Sequence, residues 1–306
     1  MNGIRGTPGT ETDESGREFA TLKGHTSWVA AVAVTPDGRR AISGSADKTL
    51  KVWELQSGRE LRTLQGHAGW VTAVSVMPDG RRAVSGSTDG MLKVWELESA
   101  CELWTIQGHA DSVNAVAVTP NGRRIVSGSA DGRLKVWEIE RACELRTLQG
   151  HANSVSAVAV TPDSRAAVSA SWDRTLKVWE IESGRELRTL QGHTDWVTAV
   201  AVTPDGRRAV SGSGDSTLKV WELDSGCELQ TLSGHTNGVN AVAVTPDGQR
   251  AISASADGTL KVWELQSGAT IMQFSCDALC CALANNWTAV TGSPDDARLH
   301  VLPLNR

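Results

Sequence analysis

The sequence predicts an all-β chain folded as a seven-bladed β-propeller with four antiparallel strands per blade. Two regularities and one remainder predict it. Gly-His recurs six times at a spacing of 42 residues, at Gly24-His25, Gly66-His67, Gly108-His109, Gly150-His151, Gly192-His193 and Gly234-His235. A Trp-Glu pair follows each at constant distance, from Trp53-Glu54 to Trp263-Glu264. Units of this length that hold several short apolar runs cannot bury their faces alone, so they stack around an axis. The remainder is a fragment of a further unit at each end of the six.

Each element of the first full repeat has a local reason. Residues 29–34 are an apolar run bounded by Gly-His and by Pro36-Asp37-Gly38, which reads as a buried strand and a turn. Residues 40–45 are the second strand, ended by Asp47 in a tight turn. Residues 50–55 are the third, and Gln56-Ser57-Gly58 turns the chain into a fourth at 60–65. The apolar registers Val29, Ala31, Val32, Val34, Leu50 and Val52 have identical counterparts in all six repeats.

The ends account for the seventh blade. Residues 16–23 align with 58–65, an outermost strand, while 278–284, 287–293 and 298–304 supply three more strands. One plus three completes a blade, so the N-terminal strand is expected to pair with the C-terminal three and leave no open edge. Residues 1–16 then read as a flexible tail or linker and 17–306 as a single propeller. This last blade departs from the others. Cys276-Asp277 stands in place of Gly-His and Leu302-Pro303 in place of Trp-Glu, the connection at Asn285-Asn286 is shorter, and a residue is added near Asp295-Asp296. It is expected to be the weakest of the ring.

Composition excludes several function classes. A net charge of −5 and a pI near 5.8 give no electrostatic reason to expect a nucleic-acid partner. No segment approaches the run of about 18 apolar residues that spans a bilayer, and residues 1–16 hold no apolar signal core, so no membrane partner is expected. Cys101, Cys143 and Cys227 share one register on separate blades. Packed sheets lie roughly 10 Å apart and a disulfide needs Cα atoms within about 7 Å, so these read as free thiols in a reducing cytoplasm. Cys276, Cys280 and Cys281 cluster without zinc spacing, and neither metal nor cofactor is expected.

From Arg17 onward these motifs resemble the WD-repeat family. The resemblance implies one hydrogen-bonded set per blade, made of the Gly-His histidine, a second-strand Ser or Thr, the turn Asp and the third-strand Trp. Carried over, that is His25, Ser43 (or Ser45), Asp47 and Trp53 in the first blade, and His67, Ser85, Asp89 and Trp95 in the second. The third and fourth hold His109, Ser127, Asp131, Trp137 and His151, Ser169, Asp173, Trp179. The fifth and sixth hold His193, Ser211, Asp215, Trp221 and His235, Ser253, Asp257, Trp263. Here each repeat ends in Trp-Glu instead of the usual Trp-Asp, at a position outside the set.

A recurring His, Ser and Asp could suggest a hydrolase triad. A triad is needed once, whereas six copies point to a role every blade must fill, because buried polar groups are costly unless satisfied. No unique nucleophile or base is present, so no enzyme is expected. The six His sit one per blade, too far apart to share an ion. The repeated Lys (Lys51, Lys93, Lys135, Lys177, Lys219, Lys261) reads as snorkelling outward from the third strand.

The copies differ at few places. The second residue after Gly-His reads Ser27, Gly69, Asp111, Asn153, Asp195, Asn237, and the next Trp28, Trp70, Ser112, Ser154, Trp196, Gly238. Two further on come Ala30, Thr72, Asn114, Ser156, Thr198 and Asn240, and the residue before each turn Asp reads Ala46, Thr88, Ala130, Trp172, Gly214, Ala256. The loop into the first strand and the turn between the second and third emerge on one face, which in WD-repeat proteins is the usual docking surface. The candidate partner-binding residues are therefore Trp28, Trp70, Trp172, Trp196, Asp111, Asn114, Asn153, Asp195, Asn237 and Asn240; exposed Trp is enriched among binding hot spots.

The expectation is a non-catalytic scaffold or sensor module that binds a protein or peptide partner, with a monomer favoured. The closing stretch, Cys280-Cys281-Ala282-Leu283-Ala284 with 298–304, looks like the degenerate last repeat of bacterial WD-repeat arrays. Such arrays often form the C-terminal sensor of multidomain signalling proteins. The alternative is a small-ligand or glycan-binding propeller with Trp-lined pockets between blades. Irregular Trp placement argues against such repeated equivalent sites.

Overall fold

The computed structural model of the chain describes residues 10–12, 18–276, 278, 280–284, 288–293 and 297–303, and every element among them is a β-strand. The strands form seven antiparallel sheets. The first blade comprises Val29–Val34, Arg40–Ser45, Thr49–Glu54 and Arg59–Gln65. The pattern repeats to the sixth blade, which ends at Thr270–Ser275. The first strands of successive blades neighbour one another around the axis, and the fourth strands lie outermost.

Short-range chemistry sets the turns. After the first strand, Gly38 N–H donates to Thr35 O (2.8 Å), and Asp37 Oδ1 accepts from Thr35 Oγ1 (2.6 Å) and Arg39 N–H (3.0 Å). After the second, the residue following the turn Asp must take a left-handed conformation. Gly90, Gly132 and Gly258 do so at φ 77–78, while Lys48, Arg174 and Ser216 hold φ 71, 70 and 68. The first strand carries a bulge. Val29 pairs with Ser45 but Ala31 with Gly44, so residue 30 and its counterparts are extra.

The period-two alternation of each strand divides its side chains between two junctions. Ile42, Leu50, Val52 and Leu64 of blade 1 pack on Val71, Ala83, Trp95 and Leu97 of blade 2. Ala41 and Trp53 point the other way, onto Leu22, Val290 and Leu299 of the closing blade. One such apolar cluster fills each of the seven junctions. The core is therefore a ring of interfaces between sheets, as expected for blades that cannot bury their faces alone.

The ring closes as the two end fragments require. Glu18–Lys23 pairs with Arg298–Pro303, from Ala20 opposite Val301 to Lys23 opposite Arg298. That strand pairs with Thr288–Gly292, which pairs with Cys280–Ala284. Val29 N–H then donates across the last junction to Ser293 O (3.3 Å). The closing sheet has five strands, since Thr10–Thr12 adds to the outer edge along Glu18 to Ala20. This short strand falls in the stretch expected to be linker; the other residues of 1–16 lie outside the described ones, as do Asp277, Asn285, Asn286, Asp295 and Asp296. Leu302 fills the third-strand Trp position in a cluster with Ile252, Leu260 and Phe274. No helix among the described residues is long and apolar enough to cross a membrane.

Candidate functional site

In blade 1 the Trp53 indole N–H donates to Ser43 Oγ (2.8 Å), Ser43 Oγ lies 2.7 Å from His25 Nε2, and His25 Nδ1 lies 2.7 Å from Asp47 Oδ2. The contacts recur in the other five regular blades, with the His–Asp distance between 2.7 and 3.2 Å. Counting donors assigns the direction. An indole N–H only donates, so Ser43 accepts from it and gives its own proton to His25 Nε2; the His proton is then on Nδ1 and donates to Asp47. The relay is complete with a neutral imidazole.

Electrostatics agree with that assignment. Burial holds His67, His109 and His235 below the ordinary histidine range, outweighing their Asp partners. Burial alone would raise Asp47, but its bonds from His25, Thr49 and the Thr26 amide hold the carboxyl well below the usual range. Asp173, Asp215 and Asp257 are depressed in the same way. The second serine has other work: Ser45 Oγ donates to Ser27 O (3.0 Å) and accepts from Asp47 N–H (3.0 Å), tying the entering loop to the turn. All six serines of the sets are fully buried, so no substrate carbonyl reaches them.

The third-strand lysines do not snorkel. Lys51 Nζ lies 2.8 Å from both Glu60 Oε1 and Thr63 Oγ1 on the fourth strand, and Lys51, Lys93 and Lys261 are buried. A carboxylate on the adjacent strand satisfies the ammonium without its reaching solvent. The same Glu crowds Gly24, where a Cβ would meet Glu60 Oε2 at 2.7 Å and Trp53 Cη2 at 2.9 Å. In blade 6, where Thr270 replaces that Glu, Lys261 donates to Gln273 Oε1.

Trp28, Trp70, Trp172 and Trp196 are 39, 48, 40 and 51% exposed. They form two pairs, each across a blade junction. Trp28 and Trp70 meet edge to face between blades 1 and 2, centroids 5.4 Å apart at 78°. Trp172 and Trp196 stack between blades 4 and 5 at 4.7 Å and 13°. Pairing recovers some ring contact but leaves broad aromatic surface in water. An exposed basic residue stands in the adjoining turn each time: Lys48, whose turn is tied to Trp28 O through Ala46 N–H (3.0 Å), and Arg174, two residues after Trp172. Trp28 and Trp70 stand one repeat length apart, at the same position of successive blades, whereas Trp172 and Trp196 come from a turn and the next blade's entering loop.

The polar candidates divide. Asp111, Asn153, Asp195 and Asn237 are exposed, and each side-chain Oδ1 accepts the next residue's N–H, at 2.6 to 2.8 Å. Asn114 and Asn240 are half-buried. They occupy the bulge position, which turns the extra side chain toward the next blade. Asn114 Nδ2 donates to Val155 O (3.1 Å) and Ser154 Oγ (3.0 Å), and Asn240 Nδ2 to Ala278 O (3.3 Å). Thr72, Ser156 and Thr198 likewise donate to Val113 O, Val197 O and Val239 O. Ala30 has no group to offer blade 2.

On the opposite face, three grooves of about 530, 530 and 690 Å³ open between blades. Residues such as Pro36, Asp79 and Glu98, or Pro162, Asp205 and Leu223, line them, and none is lined by Trp. Among the described residues no three His, Cys, Asp or Glu gather as a metal-ligand group.

A ring of seven blades, six of them braced by a His, Ser, Asp and Trp set, defines a WD-repeat propeller. The chain belongs to the WD domain, G-beta repeat family, which matches residues 16–54, 58–96, 100–138, 142–180, 184–222 and 226–264. It is similar over 48 residues to the nuclear distribution protein PAC1 of Scheffersomyces stipitis, with 50% identity covering 16% of this chain and 9% of that protein. Over 37 residues it is 57% identical to the PAC1 of Candida albicans, covering 12% and 8%. Over 54 residues it is 35% identical to the transcriptional repressor rco-1 of Neurospora crassa, covering 18% and 9%. The matches thus span less than a tenth of the length of these curated relatives, which are fungal. None of them is a bacterial signalling protein, so the expected kinship with bacterial arrays finds no support among these relatives.

Proposed function

We propose that this chain is a non-catalytic platform on which a protein or peptide partner docks, at the face formed by the entering loops and the second-to-third-strand turns. The carrying observation is the presence of two half-exposed Trp pairs on that one face, while the counterpart positions of other blades hold small or polar residues. Trp28, Trp70, Trp172 and Trp196 act as anchors, ringed by Asp111, Asn153, Asp195 and Asn237. Asn114 and Asn240 act indirectly, by holding neighbouring blades in place. The relatives' names, nuclear distribution protein and transcriptional repressor, denote no catalysis and support the reading. The platform works in the cytoplasm as a monomer. Its closing stretch, with its likeness to bacterial arrays, favours a sensor within a signalling assembly.

The test replaces the four Trp with Ser and compares capture of partners from lysate with that of the unaltered chain, circular dichroism confirming the fold. Capture is expected to disappear; unchanged capture removes the reading. A ligand or glycan propeller would instead titrate with several equivalent sites.

A further inference from the structure

We infer that the partner is an acidic segment held at two points on opposite sides of the ring mouth, a reading that rests on the docking face proposed above. The position after the turn Asp demands a left-handed backbone, and three blades meet the demand with Gly90, Gly132 and Gly258. Gly has no Cβ to clash there. Blade 5 uses the small Ser216, but blades 1 and 4 carry Lys48 and Arg174 at φ 71 and 70. Long cationic side chains thus stand where the backbone disfavours any side chain, in the two turns that adjoin the Trp pairs. Strain kept at an exposed position, twice and beside exposed aromatics, marks a group retained for what it contacts.

The surrounding charges set the sign of the ligand. Beside the Trp28–Trp70 pair, the carboxylates of Asp47 and Asp89 are already engaged by His25 and His67 and by the loop amides of Thr26 and Ala68. Lys48 is the cation left facing outward. Beside the stacked pair, Asp173 and Asp215 are engaged likewise, and Asp195 is an exposed carboxylate that accepts from Trp196 N–H. Arg174 is therefore partly offset by Asp195, and the Lys48 end is the stronger carboxylate site. Blade 3, between the two points, exposes one carboxylate, Asp111, and one guanidinium, Arg133, which together add no net charge. Each point offers an aromatic surface for an apolar side chain and a cation for a neighbouring carboxylate, a charge-assisted contact weakened by salt. Three blades separate the two junctions in a ring of seven, so a segment that touches both crosses the mouth of the central channel.

The experiment selects a phage-displayed library of random peptides of about 16 residues, with an extended reach of roughly 50 Å, on the full chain. Parallel selections use the K48G/R174G variant, whose turns Gly suits, and a variant with the four Trp changed to Ser. The expected peptides carry Asp or Glu next to aromatic or aliphatic residues at two places. They bind the unaltered chain about tenfold tighter than K48G/R174G, and the difference shrinks as salt is raised. K48G alone costs more than R174G alone. Peptides that need the Trp residues but show no acidic enrichment, or that bind K48G/R174G equally, overturn the inference and leave the docking face standing. Dependence on only one Trp pair overturns the two-point grip. Peptides indifferent to all four Trp, or no peptide at all, overturn the inference and the docking face together.

Discussion

The serine at the centre of each polar set is the side chain on which the local arrangement most depends. Ser211 accepts from Trp221 and faces His193 Nε2, both at 2.8 Å, so Ser211→Ala leaves two buried polar groups without partners. At about 1–3 kcal/mol for each, the loss is expected to total roughly 2–6 kcal/mol. It would be read as a lower urea midpoint with an unchanged slope. A smaller effect of opposite sign is expected at Ser216, whose φ of 68 is costly for an L-residue. Ser216→Gly removes that cost but adds unfolded-chain entropy, for a net gain of about 0.5–1 kcal/mol, measured by the same titration.

At the scale of the blade, junctions differ in how they are braced. Thr72, Asn114, Ser156, Thr198 and Asn240 each donate to the next blade, whereas Ala30 leaves Val71 O without such a donor. Ala30→Thr is expected to supply it and to raise stability by about 0.5–1.5 kcal/mol; an unmoved urea midpoint would count against the brace. The closing blade is the converse case. His300 stands where the other blades have Lys, and Thr21 Oγ1, the counterpart of the Lys-bound Thr63, is buried without a hydrogen-bond partner among the described residues. Native-state hydrogen exchange is expected to show the amides of 288–292 and 298–302 opening before those of blades 2 to 5.

For the whole molecule, the polar sets give stability a definite pH profile. His67, His109 and His235 have lower pKa values in the fold than in the unfolded chain, so below about pH 6.5 the unfolded state binds more protons and stability falls. The depressed Asp47, Asp173, Asp215 and Asp257 contribute fully above their unfolded value of 3.8 and lose that contribution as pH falls further. Both effects have one sign, so stability rises from pH 4 to 7. On the alkaline side, burial pushes the Cys280 and Cys281 thiols up to about 12, and stability declines once the unfolded thiols ionise near 9. Urea titrations across this range check the profile; a midpoint flat between pH 4 and 7 would contradict it.

The amino-acid sequence alone specified the blade, because a strand's period of two, a Pro-led turn (Pro-Asp-Gly in four of the six repeats) and a Gly-His boundary are local properties that recur from Gly24 to Trp263. It also determined the ring closure, since two end fragments that add to one blade have no other edge to cover. The members of the polar set were recognisable through their resemblance to the WD-repeat family, but the choice of Ser43 over Ser45 was not. Both alternate to the same side of the strand, and only the position of Trp53 separates them. The lysines were misread because the carboxylate that holds Lys51 belongs to the neighbouring strand. The bonds of Asn114 and Asn240 to the next blade follow from a one-residue bulge that redirects the side chain, and the contacts within the Trp pairs follow from how neighbouring loops meet. Such contacts are decided by how far one blade is rotated against the next, a quantity of the packed ring that no single repeat encodes.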